Sequence, residues 1–176
     1  MGVLEKILGR SGQREGIATT TQAPDEGAMP QADTPEDRIV RTLLEDIRSA
    51  SRQILFGTDD AFTCFSDGRF IERAESLPPA IEKLRYQMKG NLSVDGIKKI
   101  IPKDPGQSGE IPKTIQQAGN RYELQCRDYT CVVDRICYDY LKMRYPEAQI
   151  YCLGKTMPIV FLQDNIVRAV LMPMRK

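Results

Sequence analysis

The sequence predicts an α+β fold: a single domain of mainly antiparallel sheet covered by about three helices, with a disordered N-terminal linker. Three observations carry this expectation. Apolar residues recur at helical spacing in 35–50, 78–90 and 130–145. Short runs rich in β-branched and aromatic residues stand between and after those segments. Residues 11–33 hold Gly, Thr, Gln, Pro and Ala with almost no large apolar side chain, so they cannot bury enough surface to order themselves. With 176 residues, 41% of them hydrophobic, the chain can bury one core, and residues 34–176 are expected to form one domain.

At the N-terminus, residues 1–10 place Val3, Leu4, Ile7 and Leu8 on one side of a short helix that is marginal in isolation. These four are the candidate partner-binding residues, in a docking peptide that folds on a protein partner or rests on a membrane surface. A frayed terminus is the alternative. Order begins at Thr34-Pro35-Glu36-Asp37, where Thr caps, Pro suits the first helical position and the acids sit where the helix dipole favours them. Ile39, Val40, Leu43, Leu44 and Ile47 then mark one helical face.

Gln53 to Phe56 reads as a strand and Gly57-Thr58-Asp59-Asp60 as a turn. A hairpin follows, with Asp67-Gly68 as a two-residue type I′ turn that sets Phe65 opposite Phe70 and Cys64 opposite Ile71. Pro78 and Pro79 open a second helix, with Ile81, Leu84 and Met88 on one face and an end at Gly90-Asn91. From 92 to 118 the pattern is weak. Ile97, Ile100 and Ile101 fit a short helix or a strand, and 102–109 reads as a loop.

Tyr122, Leu124 and Cys126 alternate with polar residues as a half-buried strand does. Residues 130–145 have β-branched content but helical period, which favours a helix stopped by Pro146. Three strands are expected around 150–153, 159–162 and 167–172, the last two joined at Asp164-Asn165. Their near-continuous apolar character predicts central, covered positions.

Composition excludes several chemistries from the leading expectations. Lys plus Arg is 25 against 24 for Asp plus Glu, so net charge gives no argument for nucleic acid. There is no histidine, which removes the usual general base and metal ligand. Cys64, Cys126, Cys131, Cys137 and Cys152 are odd in number, contain no CxxC and sit in apolar periodic segments, so buried free thiols are expected. Gly154-Lys155-Thr156 looks like the end of a phosphate-binding loop, but Gln149 replaces its first glycine and a strand follows instead of a helix. Asp59, Asp60 and Asp104 have no calcium-loop spacing and read as loop acids. Gly106-Gln107-Ser108-Gly109 reads as a surface turn. Arg121, Arg127 and Arg135, interleaved with Tyr122 and Tyr129, are a candidate single-strand-binding patch, with ordinary strand and helix faces as the preferred reading. The chain is therefore expected to be non-catalytic, with no metal and no cofactor. It has no apolar run long enough to span a bilayer and no signal-peptide arrangement, which points to the cytoplasm.

Two resemblances add to this. The order helix, Ala50-Ser51-Arg52-Gln53-Ile54, strands meeting at Asp67-Gly68, Leu77-Pro78, a helix with Arg85 and Met88, then Pro102-Lys103-Asp104, resembles the non-catalytic domain that precedes the ATPase core in type II secretion and type IV pilus assembly ATPases. It spans residues 39–141. Arg52-Gln53-Ile54 stands where that family has Asp-Ile-His, and no ATPase core follows. The resemblance implies a stand-alone docking or regulatory module. Residues 129–176, with Val132-Val133-Asp134 and the ending Val170-Leu171-Met172-Pro173-Met174-Arg175, are similar to the last half-domain of the bacterial DNA polymerase sliding clamp, which also closes in Met-Pro-Met-Arg. This second resemblance implies a DNA replication accessory protein working as part of a ring.

The leading functional expectation is a cytoplasmic protein-interaction or assembly module tied to a bacterial secretion or pilus machine, and the alternative is a sliding-clamp-like accessory protein. On the docking-peptide reading, deleting residues 1–33 abolishes association with protein partners or vesicles while leaving the melting temperature unchanged. Unaltered co-sedimentation and co-purification of the truncated chain would remove that role.

Overall fold

The computed structural model describes residues 33–59, 61–86, 92–101 and 104–174. The predicted docking helix and the linker up to residue 32 lie outside that range. Residues 33–176 form one compact unit. Helix α1, Pro35–Ser49, starts as its sequence requires: the Asp37 amide donates to Thr34 Oγ1 at 3.0 Å, and Asp37 Oδ2 accepts the Thr34 amide at 3.1 Å. Its Val40, Leu43 and Ile47 are buried.

Strands β1 (Leu55–Asp59), β2 (Phe62–Ser66) and β3 (Phe70–Ala74) follow, then α2 (Pro79–Arg85), α3 (Val94–Ile100) and the single turn α4 (Pro105–Ser108). β4 (Thr114–Ala118), β5 (Arg121–Gln125) and β6 (Thr130–Asp134) form a separate three-stranded antiparallel sheet. α5 (Arg135–Arg144), β7 (Gln149–Cys152), β8 (Ile159–Gln163) and β9 (Ile166–Leu171) complete the chain. The large sheet runs β1-β2-β3-β9-β8-β7 with every neighbouring pair antiparallel. One helix and three strands thus occur twice, as α1-β1-β2-β3 and α5-β7-β8-β9, and the strand order reads alike from either edge with β3 and β9 at the centre. One core joins α1, α5, both sheets and α2, with Phe65, Phe70, Tyr140 and Phe161 among its fully buried side chains.

Two charged knots flank Phe70 on β3. Glu72 is 0% exposed and accepts hydrogen bonds from the Tyr140 and Tyr145 hydroxyls and from Arg144 Nε, all three groups delivered by α5 and the residue after it. Arg69, in the turn before β3, meets Asp67 beside it, Asp46 of α1 at 2.7 Å and Asp134 at the start of α5 at 3.2 Å. Asp46 Oδ2 lies off the N–H direction, so that contact is an ion pair rather than an aligned hydrogen bond. Both helices are therefore tied to the central strand by groups whose loss would strand a buried charge.

Residues 92–101 and 104–110 lie along the back of the large sheet. The Leu92 amide donates to Phe56 O on the outer side of β1, and Ile101 packs against the small apolar cluster of Val160, Val167 and Val170. Glu110 then exchanges both backbone bonds with Cys152 on the outer side of β7, at 2.8 and 2.9 Å. Glycines seat both ends. A Cβ at Gly57 would stand 2.8 Å from Leu92 O, and one at Gly109 2.7 Å from Pro105 O and 2.9 Å from Tyr151 Cβ.

Several expectations are corrected. The β2–β3 pairing sets Phe65 opposite Glu72 and Ser66 opposite Ile71, two residues off the predicted register. Only Gly68 of the turn has positive φ, at 87°. Asp67 Oδ1 instead accepts the Arg69 amide, and Ser66 Oγ donates to Phe70 O and accepts the Gly68 amide, so side chains close a longer turn. A shift of two keeps every residue on its face, and the Phe65 and Phe70 rings still meet, at 5.4 Å. The turn with positive φ at both central residues lies elsewhere, at Asp164 (53°) and Asn165 (58°) between β8 and β9.

Gly57, Thr58 and Asp59 belong to β1 rather than to a turn, because Gly57 admits Leu92 and Asp59 pairs with Arg73 at 2.7 Å. α2 stops at Arg85, well before Gly90: Tyr86, the residue after it, caps the helix and is 85% exposed, so it adds nothing to the buried face. Residues 130–145 divide into β6 and α5, because Asp134 Oδ1 accepts the Cys137 amide and starts the helix there, while Val132 and Val133 pair with β5. β7 is an edge strand, not a central one. The expected 102–109 loop contains α4, capped by Asp104 Oδ1 on the Gln107 amide.

Replacing Gly57 with Ala is expected to push Leu92 off β1 and cost about 1–3 kcal/mol, read as a fall of several degrees in Tm; an unchanged Tm would mean the crossing segment is not seated there. A pH dependence follows from the Glu72 knot. Burial, and then the adjacent Glu72 charge, push the Tyr140 and Tyr145 hydroxyls above tyrosine's usual value of 10. The folded state thus keeps protons that the unfolded chain loses, so this stabilisation is complete below pH 10 and declines as pH rises past it. In urea titrations, Tyr140→Phe should be less stable than wild type at pH 8 yet decline less steeply above pH 10. Parallel declines would contradict the assignment.

Candidate interaction surface

The two sheets have four outer strands, and three of them carry a backbone bond from a passing segment. β1 receives Leu92, β7 receives Glu110, and β6 is met by the C-terminal segment, where the Met174 amide donates to Val132 O at 2.7 Å. β4 differs. Among the described residues, nothing bonds its outer side, and all its residues but Ala118 are exposed.

The geometry of β4 follows from its hairpin with β5. Gly119, with φ of 64°, leads a two-residue turn, and Ala118 pairs with Arg121, Gln117 with Tyr122, Gln116 with Glu123 and Ile115 with Leu124. Leu124 is fully buried, so Ile115 points to the core side of the sheet, but it overhangs the core and stays 41% exposed. Thr114 to Ala118 contains no charged residue. Within residues 113–125 the charged residues are Lys113 and the Arg121–Glu123 pair on β5, at 3.3 Å. An uncharged, exposed outer strand offers alternating N–H and C=O groups to an incoming strand, and natural sheets usually blunt such edges.

The sequence-predicted sites fare differently. Val3, Leu4, Ile7 and Leu8 lie outside the described residues. Of the basic–aromatic patch, the Tyr122 ring packs on Tyr138 at 4.8 Å, the Tyr129 hydroxyl donates to Cys152 O at 2.8 Å, and Arg121 is paired with Glu123. The aromatic rings are committed to the interior rather than left as a stacking platform. Asp59 is buried against Arg73, whose guanidinium also donates to Val167 O and lies 4.8 Å from the Phe62 ring centre. This pair, with Lys98 and Ile101, lines a 480 Å³ groove. Gly154-Lys155-Thr156 sits between β7 and β8, so a strand and not a helix N-terminus follows the loop.

All five cysteines are buried and unpaired. Cys126, Cys131 and Cys152 adjoin one another. The neighbouring Cys152 thiol lowers Cys131, whereas contact with Cys131 and burial raise Cys152, and burial raises Cys126. The Cys131 thiol donates to Gly154 O, and all three are 0–1% exposed, which withholds them from reagents in solvent. Among the described residues, no group of His, Cys, Asp or Glu is placed to hold a metal ion, and no helix is long and apolar enough to cross a membrane.

β4, like α4 and β6, is an element that sequence reasoning missed. Its exposed side chains produce no buried period, and the one usable signal was Gly119-Asn120, two turn residues just ahead of the recognised strand. No family model, no curated protein and no solved structure matches the chain.

Proposed function

We propose that the protein is a non-catalytic interaction or assembly module that joins its partner by strand addition at β4. The observation that carries this reading is the contrast among the outer strands: three are bonded by crossing segments, and the fourth is exposed, uncharged and without a bond on its outer side among the described residues. The buried ionisable groups support it too, since Glu72, Arg69 and the Asp59–Arg73 pair are taken up in holding elements together. The resemblance of residues 39–141 to the domain preceding secretion and pilus ATPase cores makes a bacterial secretion or pilus machine the natural setting for such a module.

A second reading, a clamp-like DNA accessory protein, is favoured by the repeated helix-plus-three-strand unit, which gives the clamp-like residues 129–176 a counterpart in the first half of the chain. Against it, the outer strands β1 and β7 are partly occupied by Leu92 and Glu110, and α1 exposes Glu36, Asp37 and Glu45 beside Arg38, Arg41 and Arg48. Salt-dependent retention on duplex DNA by a ring-sized oligomer would favour the clamp over the module.

For the leading reading, immobilised full-length protein should retain a saturable partner from host extract, and Ile115→Lys, at an exposed position, should lose it without a change in Tm. Equal retention by wild type and variant would mean that β4 is not the contact.

A further inference from the structure

We propose that the strand added at β4 is the β4 of a second copy, paired antiparallel across a two-fold axis through Ile115. This deepens the reading of β4 as the interaction edge and rests on it. An isologous pair requires a strand complementary to itself. In the Ile115-centred register, Ile115 stands opposite Ile115 of the partner subunit, Thr114 opposite the partner's Gln116, and Lys113 opposite the partner's Gln117.

The chemistry of each pairing fits. Ile115 is the apolar residue of β4 left 41% exposed on the core side, and the copy supplies the matching apolar surface to cover it. Thr and Gln side chains each carry both donor and acceptor, so the Thr114–Gln116 pairs are satisfiable in both directions. Lys113, the charged residue just before the strand, faces an amide rather than its own copy, so no like charges are opposed across the register. A strongly charged peptide would find no counter-charge on β4, whereas the strand's own sequence leaves nothing unanswered. The outcome joins two three-stranded sheets into one of six strands. A five-residue contact of this kind is small, so the dimer is reversible and concentration-dependent.

Sedimentation equilibrium of the purified full chain tests this without any other protein. The wild type should show a monomer–dimer equilibrium. Ile115→Lys and Ile115→Glu should each weaken it by about tenfold or more, by setting like charges opposite one another. An equimolar mixture of the two variants should regain dimer as a Lys–Glu heterodimer. Ile115→Cys provides a readout independent of charge: with the five native cysteines buried, mild oxidation should give one interchain disulfide dimer on a non-reducing gel. A wild type that stays monomeric at all concentrations, a dimer indifferent to Ile115→Lys, or a mixture that fails to associate would each overturn self-pairing. If the wild type is monomeric while Ile115→Lys still loses the captured partner, the interaction edge stands and only the second copy is excluded.

Discussion

A carboxylate with no exposure, Glu72, stands on the central strand of the large sheet, and the placement of α5 depends on it. An isolated charge there would be prohibitively costly, so the fold must deliver partners. It does so from one element, with Tyr140 and Arg144 on successive turns of α5 and Tyr145 just after it. Breaking a buried pair of this type typically costs about 3–5 kcal/mol. All three donors come from this one stretch, so a shift of α5 along the sheet would withdraw them together. The carboxylate thus fixes the position of α5 more narrowly than apolar packing alone.

Arg69, three residues earlier, performs the corresponding task, gathering Asp46 from α1 and Asp134 from the start of α5 around the β2–β3 turn. Together the two knots hold both helices on the same sheet face and orient the repeated helix-plus-three-strand halves about β3 and β9. The third device is the stretch of 92–101 and 104–110, in which Ile101 packs on the apolar cluster of the opposite face and Leu92 and Glu110 bond the two outer strands of the large sheet. Its seats at Gly57 and Gly109 are backbone approaches that any side chain would obstruct.

These constraints bear directly on function. Once β1, β7 and β6 are bonded by the chain itself, strand addition has one uncapped outer strand left among the described residues, and β4, like β7, carries no charge to discourage pairing. The groups that would otherwise suggest chemistry are taken up in structure: Asp59 with Arg73, Tyr129 with Cys152 O, and the adjoining thiols of Cys126, Cys131 and Cys152 in buried positions. The proposed module acts through backbone presented at an edge. That accounts for an interaction surface with few distinctive side chains.

Local signals determined the elements whose evidence is itself local. The start of α1 was legible in Thr34-Pro35-Glu36-Asp37, the burial of five free thiols in their apolar surroundings, the β8–β9 turn in Asp164-Asn165, and the α+β class in the alternation of periods. Tertiary structure decided the rest. The register of β2 on β3 was set by Ser66 and Asp67 closing a longer turn, not by the Asp-Gly pair, because side-chain hydrogen bonds to the turn backbone outweigh a dipeptide preference. Residues 130–145 became strand and then helix because Asp134 caps at that point and β5 was available to pair, two facts a period cannot contain. β4 was illegible for the deepest reason. A strand that buries neither face has no hydrophobic pattern, and whether its edge is free depends on where Leu92, Glu110 and Met174 happen to bond, residues that only the folded chain brings to the other three edges.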